Sequence, residues 1–476
     1  MSMSFRDPGG RLFVHQGQIL RAVSADGLDC LTSYQRSSAA QRFTQERRIV
    51  ATEVLSEDEV NQVRASGGIE FLKDYDVKLL LRHEAIPFPS FPYEWAPEML
   101  HAAGMHTLDL ARELLGEGYG LKDATPYNVV FRGPDPVFVD ILSIERRDPC
   151  DPTWLPYAQF VRTFLIPLLL NKHFGLPLSQ LLTTRRDGIE PEEAYRLSRP
   201  IRRMLPPFLG LVTLPALLRL SSRSRSPELY ARRSTSRERA QFVLSSLFAQ
   251  LRRTLKRLEP SATRTSAWSG YFEGANSYEA QQFADKEAFV RRIVERIRPR
   301  SVLDIGCNTG RFSELAVRAG ASVVAIDYDA TVVGRLWRSA RERKLQILPL
   351  TVDITRPSPA LGWGNLELPS FLDRARRKFD LVLMLAVLHH VLITERVPLR
   401  AVLELASEMT TQFLVIEFVH PSDEMFRQLT RGRDQLFADL TREAFESEMS
   451  RELVILERLP IASSSRTLYL ARKKDG

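Results

Sequence analysis

The sequence predicts an α/β chain whose C-terminal part is a doubly wound, seven-stranded, mostly parallel sheet, preceded by an α+β module. Three observations carry this. An apolar run reaches an acid and a glycine loop at Val302–Gly310 (VLDIGCNTG). Four further apolar runs follow, separated by helix-like stretches. Alternation of strands and helices implies parallel pairing with helices on both faces. Finally, 476 residues exceed what one ordinary core organises, so at least two domains are expected.

The first part of the chain reads as short strands. Arg11–Val23 forms a hairpin turning at Gln16-Gly17. Phe43–Leu55 carries both strand and helix character and receives no assignment. Lys78–Ile86 is a strand, stopped by the proline-spaced loop Pro87–Pro97, which reads as extended. Glu98–Glu117 has helical spacing and ends at Gly118 and Gly120.

Tyr119–Glu145 (YGLKDATPYNVVFRGPDPVFVDILSIE) follows. Asp123 precedes Asn128 by five positions, and two strands around Gly133–Pro136 lead to Asp140. This stretch resembles the catalytic and metal-binding loops of protein-kinase-like phosphotransferases. The resemblance would make Asp123 the base, with Asn128 and Asp140 as Mg²⁺ ligands. The sequence departs from that pattern at Leu121-Lys122 and at Asp140-Ile141-Leu142, and it shows no G-x-G-x-x-G loop or phosphate-pairing lysine upstream. The module is therefore read as kinase-like and inactive. The alternative is a helix–hairpin unit whose Asp and Asn satisfy turn backbone.

Trp154–Gly175 is apolar and reads as a helix pair broken at Pro167, with His173 a structural residue beside it. From Arg185 to Arg264 there are 18 Lys/Arg against seven Asp/Glu, a local excess above the whole-chain net charge of +8. Charge held between domains rather than on a working domain gives no expectation of a stable nucleic-acid partner. The Ser/Arg-rich Arg219–Arg239 reads as solvated and flexible: an exposed linker, with contact to an anionic membrane surface or to RNA as the other readings. Within this section Leu205–Leu218 is apolar for 14 residues but holds three prolines, short of the roughly 20 a span needs. Gln241–Leu258 is helical again, which sets the domains at 1–260 and 266–476. No signal peptide is evident, and three scattered cysteines, none with a partner at metal-ligand spacing, suit a reducing, cytoplasmic setting.

In the second domain, Trp268–Ala284 is an aromatic lead-in to a helix over Lys286–Ile297. Its aromatics suggest folding over a ligand or packing on a sheet edge. The first strand then delivers Asp304, Gly306, Cys307, Asn308 and Gly310. The spacing D-x-G-x-x-x-G differs from the dinucleotide loop, and a carboxylate at Asp304 would repel a diphosphate and favour a cationic ligand. Ser322–Asp327 is the second strand, ending in an acid 23 positions beyond Asp304 and followed by Tyr328. Leu345–Ile354 is the third, ending at Asp353 and Ile354. Phe379–Val391 is the fourth and runs through Leu385 to His389-His390. Phe413–Val419 is the fifth and carries Glu417. Leu453–Pro460 and Ser465–Lys473 close the sheet as a pair, one of them antiparallel.

These motifs in this order resemble the class I S-adenosylmethionine (SAM)-dependent methyltransferases, with Asn308 where that pattern most often has glycine. The resemblance implies a Rossmann-like methyltransferase sheet with SAM as cofactor. Asp327 would accept the ribose hydroxyls and Asp353 the adenine amino group, with Gly306, Cys307, Asn308, Gly310, Tyr328, Ile354 and Leu385 around the cofactor. His389, His390 and Glu417 are the candidate catalytic or acceptor residues. No Asn/Asp-Pro-Pro-aromatic motif follows the fourth strand, which favours a small-molecule or glycan acceptor. The whole arrangement also resembles two-part bacterial methyltransferases, some associated with nodulation, whose first part would assist substrate or partner recognition. Alternatives are a bifunctional phosphotransferase/methyltransferase and a non-catalytic SAM-binding scaffold.

Overall fold

A computed structural model describes residues 7–72, 75–221, 235–261, 263, 265–266, 277–462 and 464–474. The Ser/Arg-rich stretch expected to be solvated and the aromatic lead-in fall largely outside these, at 222–234 and 267–276. The chain divides into two compact units, residues 1–260 with 362–368 and residues 261–361 with 369–476.

In the first unit, β1 (Gly10–His15) and β2 (Gln18–Val23) form the expected hairpin. Gln16 and Gly17 both take positive φ, 47° and 78°, the geometry that matches the twist of a two-residue turn. The unassigned stretch resolves into the end of helix Ser38–Gln45 and a short β3 (Thr52–Val54). With β4 (Leu79–His83) these strands make an antiparallel sheet ordered β1-β2-β4-β3. The proline-spaced loop is not extended throughout. Pro92–Glu94 closes a 3₁₀ turn, because proline's fixed φ suits a first helical position and the Glu94 carboxylate accepts from Phe91 N at 3.0 Å.

Helix Pro97–Gly116 buries Met99, Leu100, Leu108, Leu110 and Leu114. Beyond it lie β5 (Tyr119–Leu121), β6 (Val129–Arg132), β7 (Asp135–Phe138) and β8 (Ile144–Arg146), with β6–β7 a hairpin and β5–β8 a second antiparallel pair. The break expected at Pro167 does not occur. Tyr157–Phe160 runs through a π-helical turn, Val161–Leu165, into Ile166–Phe174 with helical backbone at each junction. The wider turn shifts the hydrogen-bond register just where proline lacks a donor, so the helix continues.

The second unit begins with helix Ser277–Ile297 and carries β9 (Ser301–Ile305), β10 (Ser322–Asp327), β11 (Ile347–Thr351), β12 (Phe379–Met384), β13 (Thr410–Val419), β14 (Leu453–Pro460) and β15 (Arg466–Lys473). They form one seven-stranded sheet, ordered β11-β10-β9-β12-β13-β15-β14. Strands β9 to β13 are parallel, and β15 runs antiparallel to both neighbours. The five parallel strands are apolar on both faces because helices cover both. Val302, Val323, Leu381, Leu383 and Val415 are fully or almost fully buried. The order reverses at β9, which lies between β10 and β12, and such reversals open a crevice at the carboxyl ends of the strands. No helix among the described residues is long and apolar enough to cross a membrane.

Candidate functional site

The site is built outward from the end of β9. Gly306 follows the strand at φ +71°, and a Cβ there would lie 2.2 Å from a Val387 methyl. No side chain fits, so the backbone itself forms the wall. Gly306 N and Cys307 N both donate to Ile326 O, at 2.8 and 3.0 Å, tying the loop to the end of β10. Gly310, at φ +84°, starts helix Arg311–Arg318, and its Cα faces Leu336 so closely that a Cβ would clash at 2.3 Å.

The three strand-end acids divide into distinct environments. Asp304 is buried and accepts from Ser313 Oγ at 2.6 Å. Burial pushes its pKa up to about 6, helped by the nearby Asp327 charge. Asp304 and Gly310 thus stand behind the loop and shape it. Asp327 instead faces open space. Among the described residues its oxygens accept from backbone donors, Asn308 N and Asp329 N, each at 3.0 Å, and burial pushes its pKa to about 6 against the backbone bonds, to which Tyr328 also contributes. For Asp353, burial opposes ionisation, but bonds from Thr355 N (2.9 Å), Thr355 Oγ1 (2.5 Å) and Arg356 Nε (3.3 Å) outweigh it and hold the pKa below the usual value.

A cavity of about 390 Å³ opens in front of these groups. Gly306, Cys307, Asn308, Asp327, Tyr328, Asp353, Ile354 and Leu385 line it, with Phe283 and Phe312. Its other side is formed by His389, His390, Glu417, Lys286, Met425 and Arg466. His389 and His390 are ring neighbours, 4.2 Å between centroids, on helix Leu388–Ile393. Burial holds both in the neutral form, driving His389 down to about 2 and lowering His390, to which Arg466 also contributes. His389 Nδ1 is buried without a hydrogen-bond partner among the described residues.

Glu417 is fully buried, with both oxygens engaged. Oε1 accepts from Lys286 Nζ at 2.7 Å and Arg466 Nη1 at 3.3 Å, and Oε2 accepts from Ala386 N at 3.0 Å. Arg466 also grips Asp423 through Nε (2.9 Å) and Nη2 (3.1 Å). Ala386 sits at φ +55°, two residues past the end of β12, so this network fixes a left-handed backbone in the cavity wall. Lys286, Arg466 and Asp423 carry no motif in the sequence, and only a cation's habit of following a buried acid could have suggested them.

In the first unit, Asp123 is exposed, with Oδ1 accepting from Gln159 Nε2 at 3.2 Å. Asn128 Nδ2 is buried without a hydrogen-bond partner among the described residues. Asp140 pairs with Arg21 of β2 at 2.7 Å, and both side chains are largely covered. His83 of β4 lies near that guanidinium, and burial, then Arg21, lowers its pKa to about 3.

Residues 278–444 match the model of a methyltransferase domain. Over 474 residues, 99% of this chain and 96% of its own length, the nodulation protein NoeA of Rhizobium meliloti (strain 1021) is 32% identical. Among solved structures, the N-methyltransferase NodS from Bradyrhizobium japonicum WM9 in complex with S-adenosyl-l-homocysteine is 18% identical, covering 46% of this chain and 98% of its own, at a TM-score of 0.32. Magnesium protoporphyrin IX methyltransferase from Synechocystis PCC 6803 with bound SAH is 18% identical, covering 48% of this chain and 95% of its own, at a TM-score of 0.30.

Proposed function

The chain belongs to the family of the nodulation protein NoeA and is a SAM-dependent methyltransferase, and from that premise we propose how its cavity divides the work. The cofactor lies along Gly306–Asn308, Asp327 and Asp353. The acceptor, a small molecule or glycan, enters on the side of His389, His390 and Met425. The observation that carries this reading is Asp327: a carboxylate at a strand end, held by backbone donors and facing the cavity.

The residues fit the cofactor. A vicinal diol needs a fixed carboxylate with free lone pairs, which Asp327 offers. An adenine amino group needs an acceptor, which Asp353 offers beside the apolar Ile354 and Leu385. The wall at Gly306 is bare backbone, so a ligand approaches it closely. SAM supplies the electrophilic methyl group on its sulfonium, and the protein aligns the nucleophile and excludes water. His390 is held neutral, which lets its imidazole take the acceptor's proton. Glu417 is fully buried, and its oxygens accept from Lys286, Arg466 and Ala386 N; we place it as a positioning residue beneath the wall at Ala386. Calorimetry with SAM on the wild type tests the cofactor placement, and activity of His389→Ala and His390→Ala tests the acceptor side. Full activity in both variants would remove the two histidines from the acceptor side of this reading.

The first unit, on this reading, is a kinase-like module without phosphotransferase activity that assists acceptor or partner recognition. Arg21 occupies Asp140, the position a metal ion would need. Incubating the full chain with Mg²⁺-ATP should give neither hydrolysis nor phosphotransfer. A signal that depends on Asp123 and Asp140 would establish the bifunctional alternative.

A further inference from the structure

We infer that the first unit carries a docking surface for an anionic lipid bilayer, built on Leu197–Leu217. The elements here are helix Pro191–Leu197, the turn Pro200–Arg203, and a helix that runs from a π-helical start at Leu209–Thr213 into Leu214–Ser221. They pack on one another. Thr213 Oγ1 also donates to Arg203 O at 2.7 Å, which ties the last helix to the preceding turn.

The buried side of this assembly is ordinary: Ala194, Phe208, Val212 and Ala216 are almost completely covered. Its outer side is not. Ile201 is 79% exposed, Met204 67%, and Leu197, Leu205, Leu214 and Leu217 about half. Leu214 and Leu217 lie one turn apart, so the last helix is apolar on both faces. Single exposed apolar residues need no account, but six within 21 residues, on elements that touch, form a patch of the kind that meets a partner or a membrane.

Charge selects the occupant. Across the patch's own elements, from Pro191 to Ser221, the sequence holds five arginines and no lysine, against two acids, Glu192 and Glu193, both in the first turn of the first helix. Arg196 and Arg199 are exposed within the patch's own elements. Apolar side chains flanked by arginine suit the headgroup boundary of an anionic bilayer, where the apolar groups enter the acyl region and the cations meet phosphates. A nucleic acid would use the arginines and leave the six apolar side chains in water. The helix is too short to span, so the surface lies on the membrane.

The test uses the full chain with phosphatidylcholine vesicles and with vesicles that also contain phosphatidylglycerol, read by co-sedimentation. Binding is expected to the anionic vesicles only and to weaken with added salt. Ile201→Glu/Leu217→Glu should lower that binding by about tenfold or more, since two apolar side chains no longer leave water. Arg196→Glu/Arg199→Glu should do the same chiefly at low salt. All four positions are exposed, and unchanged circular dichroism and thermal unfolding of the full chain check that the variants fold. The inference is overturned by absence of vesicle binding, by binding that the apolar variant retains in full, by binding of a nucleic acid in place of vesicles, or by a dimer in light scattering that the apolar variant dissolves. A failure of the SAM placement would leave the vesicle result untouched.

Discussion

Asp327 and Asp140 look alike in the sequence, each an acid closing an apolar strand, and the fold treats them in opposite ways. At the end of β10, Asp327 receives backbone N–H groups from Asn308 and Asp329 and, among the described residues, no cation, and it faces a cavity. After β7, Asp140 receives the guanidinium of Arg21, 119 positions earlier in the chain. An acid held only by backbone keeps its charge available for a ligand, whereas one paired with arginine has its counter-charge already. An acid's position on a strand marks a place where a site can exist. Whether one does depends on what the rest of the chain brings there.

The sharpest way to stress this contrast is to break the pairing inside the second unit. Glu417→Ala leaves Lys286 and Arg466, both largely covered, without their shared carboxylate. Removing one partner of a buried ion network typically costs about 3–5 kcal/mol, so chemical denaturation should show a loss of that order. Glu417→Gln keeps an acceptor for Ala386 N and should lose less. If Glu417 positions the wall rather than transferring a proton, the surviving activity should retain the wild-type pH profile.

Next in size is Asp327→Ala. Losing a charge-assisted bidentate contact costs roughly 2–4 kcal/mol when partly buried, or about 30- to 1000-fold in SAM affinity by calorimetry. The fold should survive, because the carboxylate faces a cavity. Asp140→Ala should leave SAM affinity unchanged. Equal effects at the two positions would erase the distinction.

Much of this contrast was legible in the sequence, and the part that was not has a physical reason. The glycine at 306 and the acids at 304, 327 and 353 sit at fixed places on a strand-loop-helix rhythm, and short-range pattern conveys such places. The pairings do not arise from short-range pattern. Glu417 meets Lys286 from 131 positions away and Arg466 from 49, so nothing near any one of them announces the others. The same limit explains Asp304, which spacing alone places against a ligand and which the fold turns inward onto Ser313. The continuous helix through Pro167 was hidden differently. Proline reads as a breaker, and only the wider preceding turn removes the conflict.

In the first unit, Arg21→Ala should cost about 1–3 kcal/mol, since Asp140 keeps some contact with water. The double variant Arg21→Ala/Asp140→Ala should recover part of that loss in a urea titration, because no carboxylate then remains uncompensated. Methylation should be unaffected in both. A gain of Mg²⁺-ATP binding in Arg21→Ala would show that the arginine alone separates this hairpin from a working phosphate site.

The smallest effect is the most specific. Asp304 and Asp327 are both pushed to about 6 by burial, while Asp353 is held low. For the ligand-free protein the signs oppose. The two raised acids bind protons more readily folded than unfolded, so their contribution to stability falls as pH rises from about 4 to 6. The lowered histidines lose stability as pH drops below 6.5. Stability near pH 5 therefore mixes the two, and SAM affinity is the cleaner readout. A ribose diol needs Asp327 ionised, so affinity should hold above pH 6 and fall by up to about tenfold per unit below it. An ordinary aspartate would hold its affinity to near pH 4. Asp327→Asn should bind weakly with no such dependence between pH 5 and 7. If the variant keeps the slope, the proton is on Asp304, and the buried acid behind the loop governs binding in place of the one that faces the cavity.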